Sequence, residues 1–309
     1  MRVCVFAPAP ILTVTIERGA SDAGELHIHP GGQGFWVARM LKHLGSSPIL
    51  VTPLGGETGD VFGHLISGHE LDVRAIPVSE PSGAYVHDRR GGERAEWWQA
   101  EHGPRGRHEV DDLYTVTLGA ALEAGVCVLT GTHRQGSVLP EGTFQRLASD
   151  LRANDVGVVV DLQGEFLRET LEGGVSVVKV SEDELVEDDW TTGRDDEDVI
   201  AGIERIARAG AEDVVVSRAE GGALALLGDE LLRATGPQMN VIDPSGAGDS
   251  MTAALAHGRA AGLEPAAALR LAVGAGAMNV TRHGLGSGDA EAIAQLSENV
   301  QVETLERSR

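Results

Sequence analysis

Apolar positions along the chain fall into short β-branched runs separated by stretches with helical spacing. Residues 3–6 read as a strand, 34–44 as a helix with its stripe at Val37, Met40, Leu41 and Leu44, and 49–52 as a second strand. The rhythm then repeats: strands at 126–130, 156–161 and 175–179 are followed by helical patterns at 141–153, 165–171 and 182–187. A helix over 196–209 leads to a strand at 214–217 and a hairpin-like pair at 223–227 and 231–235. Such alternation predicts an α/β fold, a mostly parallel sheet with helices on both faces and ligands at the carboxyl ends of the strands. Two segments break the rhythm. Residues 11–29 alternate through Leu12, Val14 and Ile16, and 84–98 read as two strands joined at 90–93. They are expected to form a small β-lid, 11–29 and 82–108, inserted into a core made of 1–10, 30–81 and 109–309. Strand edges exposed on such a lid need cover, which predicts a homodimer formed through it.

Composition narrows the possibilities further. With 309 residues and 42% hydrophobic content, the chain can bury one large core with a small appendage. A net charge of −22 argues against a nucleic-acid or anionic-membrane surface, both of which need a basic footprint. Any anionic ligand must therefore be held by local donors. Cys4 and Cys127 each lie in an apolar strand-like run and read as buried free thiols in a reducing compartment. No leader pattern opens the sequence and no apolar run approaches the roughly 18 residues a membrane span requires. A cytoplasmic, soluble protein is expected. His27 and His29 read as strand residues, since no acid or cysteine lies at metal-ligand spacing from them.

The candidate chemistry is concentrated in Asp243-Pro244-Ser245-Gly246-Ala247-Gly248-Asp249, which opens a helix running to about 261. Gly246, Ala247 and Gly248 are small enough for backbone N–H groups to approach a polyphosphate, and the helix start adds unpaired donors and the positive end of its dipole. Asp249 then stands beside the bound phosphates, where a carboxylate makes sense as the base for an acceptor hydroxyl. The same residues would also serve as a plain loop-to-helix turn, with Asp249 as a dipole partner. A second glycine cluster, Pro30-Gly31-Gly32-Gln33-Gly34-Phe35-Trp36-Val37-Ala38-Arg39, precedes the first long helix.

Together these two segments resemble the signatures of the PfkB (ribokinase-like) family of carbohydrate kinases, nearest the branch of 1-phosphofructokinases and tagatose-6-phosphate kinases. The resemblance spans nearly the whole chain. It implies a ribokinase-like three-layer α/β/α core with a β-lid, ATP and Mg²⁺ as cofactors, a small sugar-like acceptor, Asp249 as the base and Gly246, Ala247 and Gly248 as the anion hole. Gly31, Gly32, Gln33 and Trp36 then line the acceptor site with Asp249. Lys179-Val180-Ser181-Glu182-Asp183-Glu184-Leu185 is similar to the family's Lys-Pro-Asn-x-x-Glu-Leu segment, with serine for asparagine. That similarity places Lys179 and Ser181 on the nucleotide and Glu184 on the metal; without it, Glu184 reads as one solvent-facing acid among many. Ser217 and Gly222, in the strand and turn after it, are expected at the phosphate and adenosine. The helix over 265–282, which carries Gly274, Gly276 and Asn279, is expected to wall the adenine pocket. Asp243 and Ser245 leave room for a monovalent cation such as K⁺.

The acceptor side departs from the family pattern. Its early aspartate falls at Ile11, its glycine-cluster lysine at Gln33 and its asparagine at Trp36, while the lid arginine of phosphosugar kinases falls near Ala84 or Tyr85. Unless Arg89, Arg90 or Arg134 compensates, the site lacks the charge-assisted clamp a sugar phosphate needs. The expectation is then a neutral polyol, sugar or nucleoside, on which Trp36, Trp97 or Trp98 can stack unless each simply fills core or lid interface. The alternative from another class is a catalytically silent nucleotide-binding or regulatory protein on the same scaffold. An intact Asp249 favours catalysis.

Overall fold

The computed structural model describes residues 1–309 apart from 20–23, 93–94, 132–137, 283–284 and 307–309. Its main sheet runs β14-β13-β12-β11-β10-β9-β8-β1-β4-β5. The parallel part comprises β1 (Arg2–Phe6), β4 (Ser47–Leu54), β5 (Asp72–Pro77), β8 (Val126–Thr130), β9 (Gly157–Asp161), β10 (Val175–Ser181) and β11 (Ala211–Ser217). The antiparallel edge is β12 (Ala223–Leu227), β13 (Glu230–Thr235) and β14 (Gln301–Thr304).

Near-continuous apolar strands such as Gly-Val-Val-Val-Asp suit a sheet covered on both faces. Along β1, Val3 and Val5 point to one core layer and Cys4 and Phe6 to the other. The first layer packs under α1 (Gln33–His43), α2 (Gly56–Ile66), α8 (Ala247–Ala261), α9 (Pro265–Asn279) and α10 (Ala290–Glu298). The second packs under α3 (Arg107–Ala124), α4 (Thr143–Ala153), α5 (Gly164–Gly173), α6 (Glu182–Glu187) and α7 (Asp196–Ala209). Cys4 and Cys127 face each other in register on β1 and β8 as buried free thiols. Among the described residues, no helix is long and apolar enough to cross a membrane.

A second sheet, ordered β3-β2-β6-β7, is built from β2 (Ile11–Glu17), β3 (Glu25–Gly31), β6 (Gly83–Asp88) and β7 (Ala95–Ala100). Its alternation sorts side chains cleanly. Thr13, Thr15 and Tyr85 face a cleft against the core, and Val14, Ile16, Leu26, Ile28 and Trp98 lie on the opposite side.

Three helices lie outside the sequence expectations. α2 buries Gly59, Phe62 and Ile66, and α3 buries Val110, Leu113, Thr117, Ala120 and Ala121, stripes too sparse or too small to stand out as helical periodicity. α10 buries a single residue, Ile293. Conversely, α9 stops at Asn279 rather than at 282. The carbonyl of Val280 turns away to accept the Ile242 and Asp243 N–H groups, at 2.8 and 3.3 Å.

Candidate active site

The site forms where β8, β9, β10 and β11 end and α8 begins, so its residues come from strand termini far apart in sequence. Lys179, near the end of β10, is almost fully buried, with its ammonium 3.7 Å from a carboxylate oxygen of Asp161 at the tip of β9. Thr252 on α8 donates a 2.5 Å hydrogen bond to that same carboxylate, tying α8 to β9. Burial works against the ammonium of Lys179, but Asp161, Glu184 and Asp249 around it outweigh that and raise its pKa, so it remains charged. Burial also raises Asp161, against the pull of Lys179.

Asp249 lies half-buried in the first turn of α8. Burial, reinforced by repulsion from Asp161 and Glu184 and opposed by Lys179, pushes it up to about 7. A carboxyl poised there exchanges a proton near neutral pH, as a general base must.

The glycines around it are dictated by geometry. Gly246 caps α8 with φ 78°, a left-handed conformation that costs a side chain dearly. A Cβ at Gly248 would strike the Lys179 ammonium, so the missing side chain is what lets a lysine reach the positive end of the helix. The amides of this turn and the Lys179 ammonium are donors of the kind that suit an anion.

Glu184 sits in a reciprocal cap: its carboxylate accepts the Ser181 N–H at 2.6 Å while the Ser181 hydroxyl accepts the Glu184 N–H at 3.2 Å. Gln163 holds the other carboxylate oxygen. Ser181 is thus a helix cap in this structure. Among the described residues no three acids, histidines or cysteines converge to grip a metal directly. Mg²⁺ fits such a setting, because it keeps several waters and takes few protein carboxylates, and three acids around one lysine leave negative charge for it to relieve.

Ser217 ends β11, with its hydroxyl 3.4 Å from the Val180 carbonyl. Gly222 is demanded by packing, since a Cβ would collide with the Ala234 carbonyl of β13. Asn279 is buried and bonded to two loops, donating to Ser245 O at 2.7 Å and accepting from Gly286 N at 3.0 Å; it braces the loop that leads into α8. Gln33 accepts the Gly131 N–H at 2.8 Å and lies close enough to Asp161 to lower that carboxyl's pKa. Gly31 ends β3, pressed against Thr13 and Ile11 of β2, and Gly32 caps α1, pressed against Ala9 and Pro10 of the β1–β2 connection.

Between lid and core lies a cleft of about 320 Å³, with Thr13, Thr15 and Tyr85 on the lid side and Trp36, Arg39 and Asp243 on the core side. Trp36 is 6% exposed and packs edge-on against Phe35, so only a margin of its ring faces the cleft. Trp97 and Trp98 are exposed on β7 and are not among the residues lining the cleft. Of the arginines expected to compensate, Arg89 pairs with Asp243 at 2.5 Å and Arg90 with Asp88 at 2.8 Å. Arg134 lies outside the described residues. Arg39, which the sequence reading passed over, reaches the cleft half-buried. One of its terminal nitrogens donates to the Leu285 carbonyl at 3.2 Å, and it has no carboxylate within ion-pair distance among the described residues. Asp161 was missed as well, though an acid closing an apolar parallel strand is a readable signal.

A half-buried carboxyl pushed up to about 7, a glycine turn opening a helix and a buried lysine at the carboxyl ends of a parallel sheet are the arrangement of a phosphotransferase that acts on an alcohol group. The chain belongs to the pfkB family of carbohydrate kinases, whose model matches residues 11–292. It is 27% identical over 277 residues to 1-phosphofructokinase of Bacillus subtilis, covering 90% of this chain and 89% of the relative. It is 28% identical to ATP-dependent 6-phosphofructokinase isozyme 2 of Escherichia coli, over 96% of this chain and 94% of the relative. Phosphofructokinase-2 of E. coli, solved in complex with potassium, superposes with a TM-score of 0.84 at 22% identity, covering 96% of this chain and 98% of that one. The fold is ribokinase-like, and the protein is an ATP-dependent kinase for a hydroxyl of a sugar or sugar-like molecule. The catalytically silent alternative gains no support.

Proposed function

We propose that this kinase uses Asp249 as its base, the amides of Gly246, Ala247 and Gly248 as its anion hole, and a sugar phosphate as its acceptor. The observation that carries the reading is the place of Asp249, on the first turn of α8 next to Gly248, against which the Lys179 ammonium packs; burial and the neighbouring acids push its carboxyl up to about 7. Mg²⁺-ATP supplies the phosphoryl group and much of the charge neutralisation. Asp249 takes the proton of the attacking hydroxyl, while the α8 amides and Lys179 hold charge that builds on the transferring oxygens. Glu184, fixed by its cap, and Asp161 would hold the Mg²⁺ that accompanies ATP. Ser181 and Ser217 border the nucleotide. Gly31, Gly32 and Trp36 shape the acceptor side, and Gln33 and Asn279 hold the surrounding loops.

A phosphorylated acceptor is favoured by Arg39, a half-buried guanidinium in the cleft without a carboxylate among the described residues, and by the relatives' names. The sequence expectation of a neutral acceptor rested on Ile11, Gln33 and Trp36 replacing the family's charged and amide residues and on the missing lid arginine, and it left Arg39 out. An assay of fructose 6-phosphate, fructose 1-phosphate and tagatose 6-phosphate against fructose and ribose tests this reading. A phosphorylated sugar is expected to lead by at least about 10²-fold in kcat/KM. Faster turnover of the neutral sugars would overturn it. Arg39→Met is expected to raise KM for the phosphorylated acceptor by roughly 10- to 100-fold, as loss of a charged hydrogen bond does, and to leave neutral-sugar kinetics unchanged.

The outer face of the lid supports a homodimer. Ile28, Val14, Val86 and Trp98 align in one row across the four strands, and Leu26, Ile28 and Trp98 are 61%, 45% and 54% exposed. Water-exposed apolar surface of this kind on an edge-bearing sheet is unfavourable unless covered. Light scattering at micromolar concentration should give a dimer, and Ile28→Asp with Trp98→Asp a monomer. A monomeric wild type would refute the lid interface. The free thiols at Cys4 and Cys127 suit the cytoplasm as its location.

A further inference from the structure

Asp243 stands at the entrance to the anion cradle, where an uncompensated carboxylate would repel a polyphosphate. Its loop is tightly held: Val280 O accepts the Ile242 and Asp243 N–H groups, and Asn279 donates to Ser245 O. One Asp243 oxygen accepts the Ser245 N–H at 3.0 Å and the other accepts from the Arg89 guanidinium at 2.5 Å. The carboxylate is therefore immobile, and both of its oxygens are engaged.

Arg89 comes from the lid. It follows β6 in the lid hairpin, where its N–H donates to Ile16 O at 2.8 Å and its carbonyl accepts from Gly92 at 2.9 Å, fixing the backbone from which its side chain crosses the cleft. With side-chain exposures of 26% and 9%, Arg89 and Asp243 form a half-buried pair joining lid to core. Among the described residues no other cation lies within 4.0 Å of Asp243. With one oxygen on the Arg89 guanidinium at 2.5 Å and the other on the Ser245 N–H, the Asp243 charge is already matched, and a K⁺ ion at this carboxylate would be repelled by the guanidinium while the lid is docked.

We propose that Arg89 is a built-in counter-cation for the phosphate loop: its guanidinium, delivered by the lid, neutralises Asp243 in place of a monovalent metal ion. Catalysis is then independent of K⁺, and docking of the lid electrostatically completes the anion cradle. Arg89 is a positioning residue in this scheme, acting on nucleotide and transferring phosphate through Asp243.

The inference rests on the kinase reading above, and two measurements separate them. Turnover and the melting temperature are each recorded in potassium and in tetramethylammonium buffers of equal ionic strength, with Mg²⁺ present. The wild type is expected to change less than about twofold in rate and not to shift in Tm. Arg89→Met strands the Asp243 charge, so in tetramethylammonium it should lose roughly tenfold in rate, the order expected for removing one partner of a half-buried pair. Potassium should restore that rate and raise the variant's Tm, while Arg89→Lys should stay independent of potassium. Stimulation of the wild type several-fold by potassium overturns the proposal. So does an Arg89→Met variant whose losses potassium cannot restore, since Arg89 would then be serving the acceptor. If no acceptor is turned over, the kinase assignment fails, whereas the potassium-dependent Tm of Arg89→Met still decides the role of Arg89.

Discussion

Asp249→Asn is expected to reduce phosphoryl transfer by about 10²–10⁴-fold while leaving Mg²⁺-ATP affinity nearly unchanged. The amide keeps the size of the side chain and its place on α8, so the cradle persists and only proton acceptance is lost. The wild-type pH profile carries the same assignment. With Asp249 pushed up to about 7 by burial and by the neighbouring acids, kcat/KM should fall tenfold per pH unit below about 7, because the protonated carboxyl cannot accept the hydroxyl proton. Above that pH the base is ionised and the profile should level off. Equal rates in wild type and Asp249→Asn, or a profile flat from pH 5 to 8, would remove Asp249 from the reaction. Nucleotide titration by calorimetry separates a lost base from a lost binding site.

Lys179→Met should have the second large effect, and on two observables. The ammonium is surrounded by Asp161, Glu184 and Asp249, and the side chains of the Lys179–Asp161 pair are only 5% and 4% exposed. Removing it takes a fixed donor from the anion cradle, a change that typically costs about 10²–10³ in rate. It also leaves Asp161 as a buried charge without its partner, a loss on the order of 3 kcal/mol that partial protonation of the acids will soften. Because Lys179 is the group holding the Asp249 pKa down, the acid limb of the remaining activity should move to higher pH. A folded Lys179→Met enzyme with wild-type rate and an unmoved acid limb would show that the lysine is only packing.

Much of this was legible in the sequence, for identifiable reasons. The bounds of α6 at 182–187, α7 at 196–209, β8 at 126–130 and β12 at 223–227 coincide with the expected ones: α6 and α7 open on side-chain caps at Ser181 and Asp195, and β8 and β12 are short, wholly buried apolar runs. α2 and α3 escaped because small or widely spaced buried residues carry little periodic signal. Glu184 and Ser181 were marked as site residues through their motif, and their mutual cap is equally a consequence of that spacing.

What the sequence by itself determined is the local chemistry: strands that must be covered on both faces, a lid whose faces alternate, and a glycine turn that opens α8 with Asp249 in its first turn. These depend on neighbours within a few residues, where backbone geometry leaves few choices. Tertiary structure alone decided the charges. Asp161 meets Lys179 only because β9 and β10 end side by side, Arg39 reaches the cleft only because α1 passes beneath the lid, and Arg89 finds Asp243 only because the hairpin folds back over the core. Coulomb energy depends on separation in space and on the surrounding dielectric, neither of which is written in the spacing of residues along a chain.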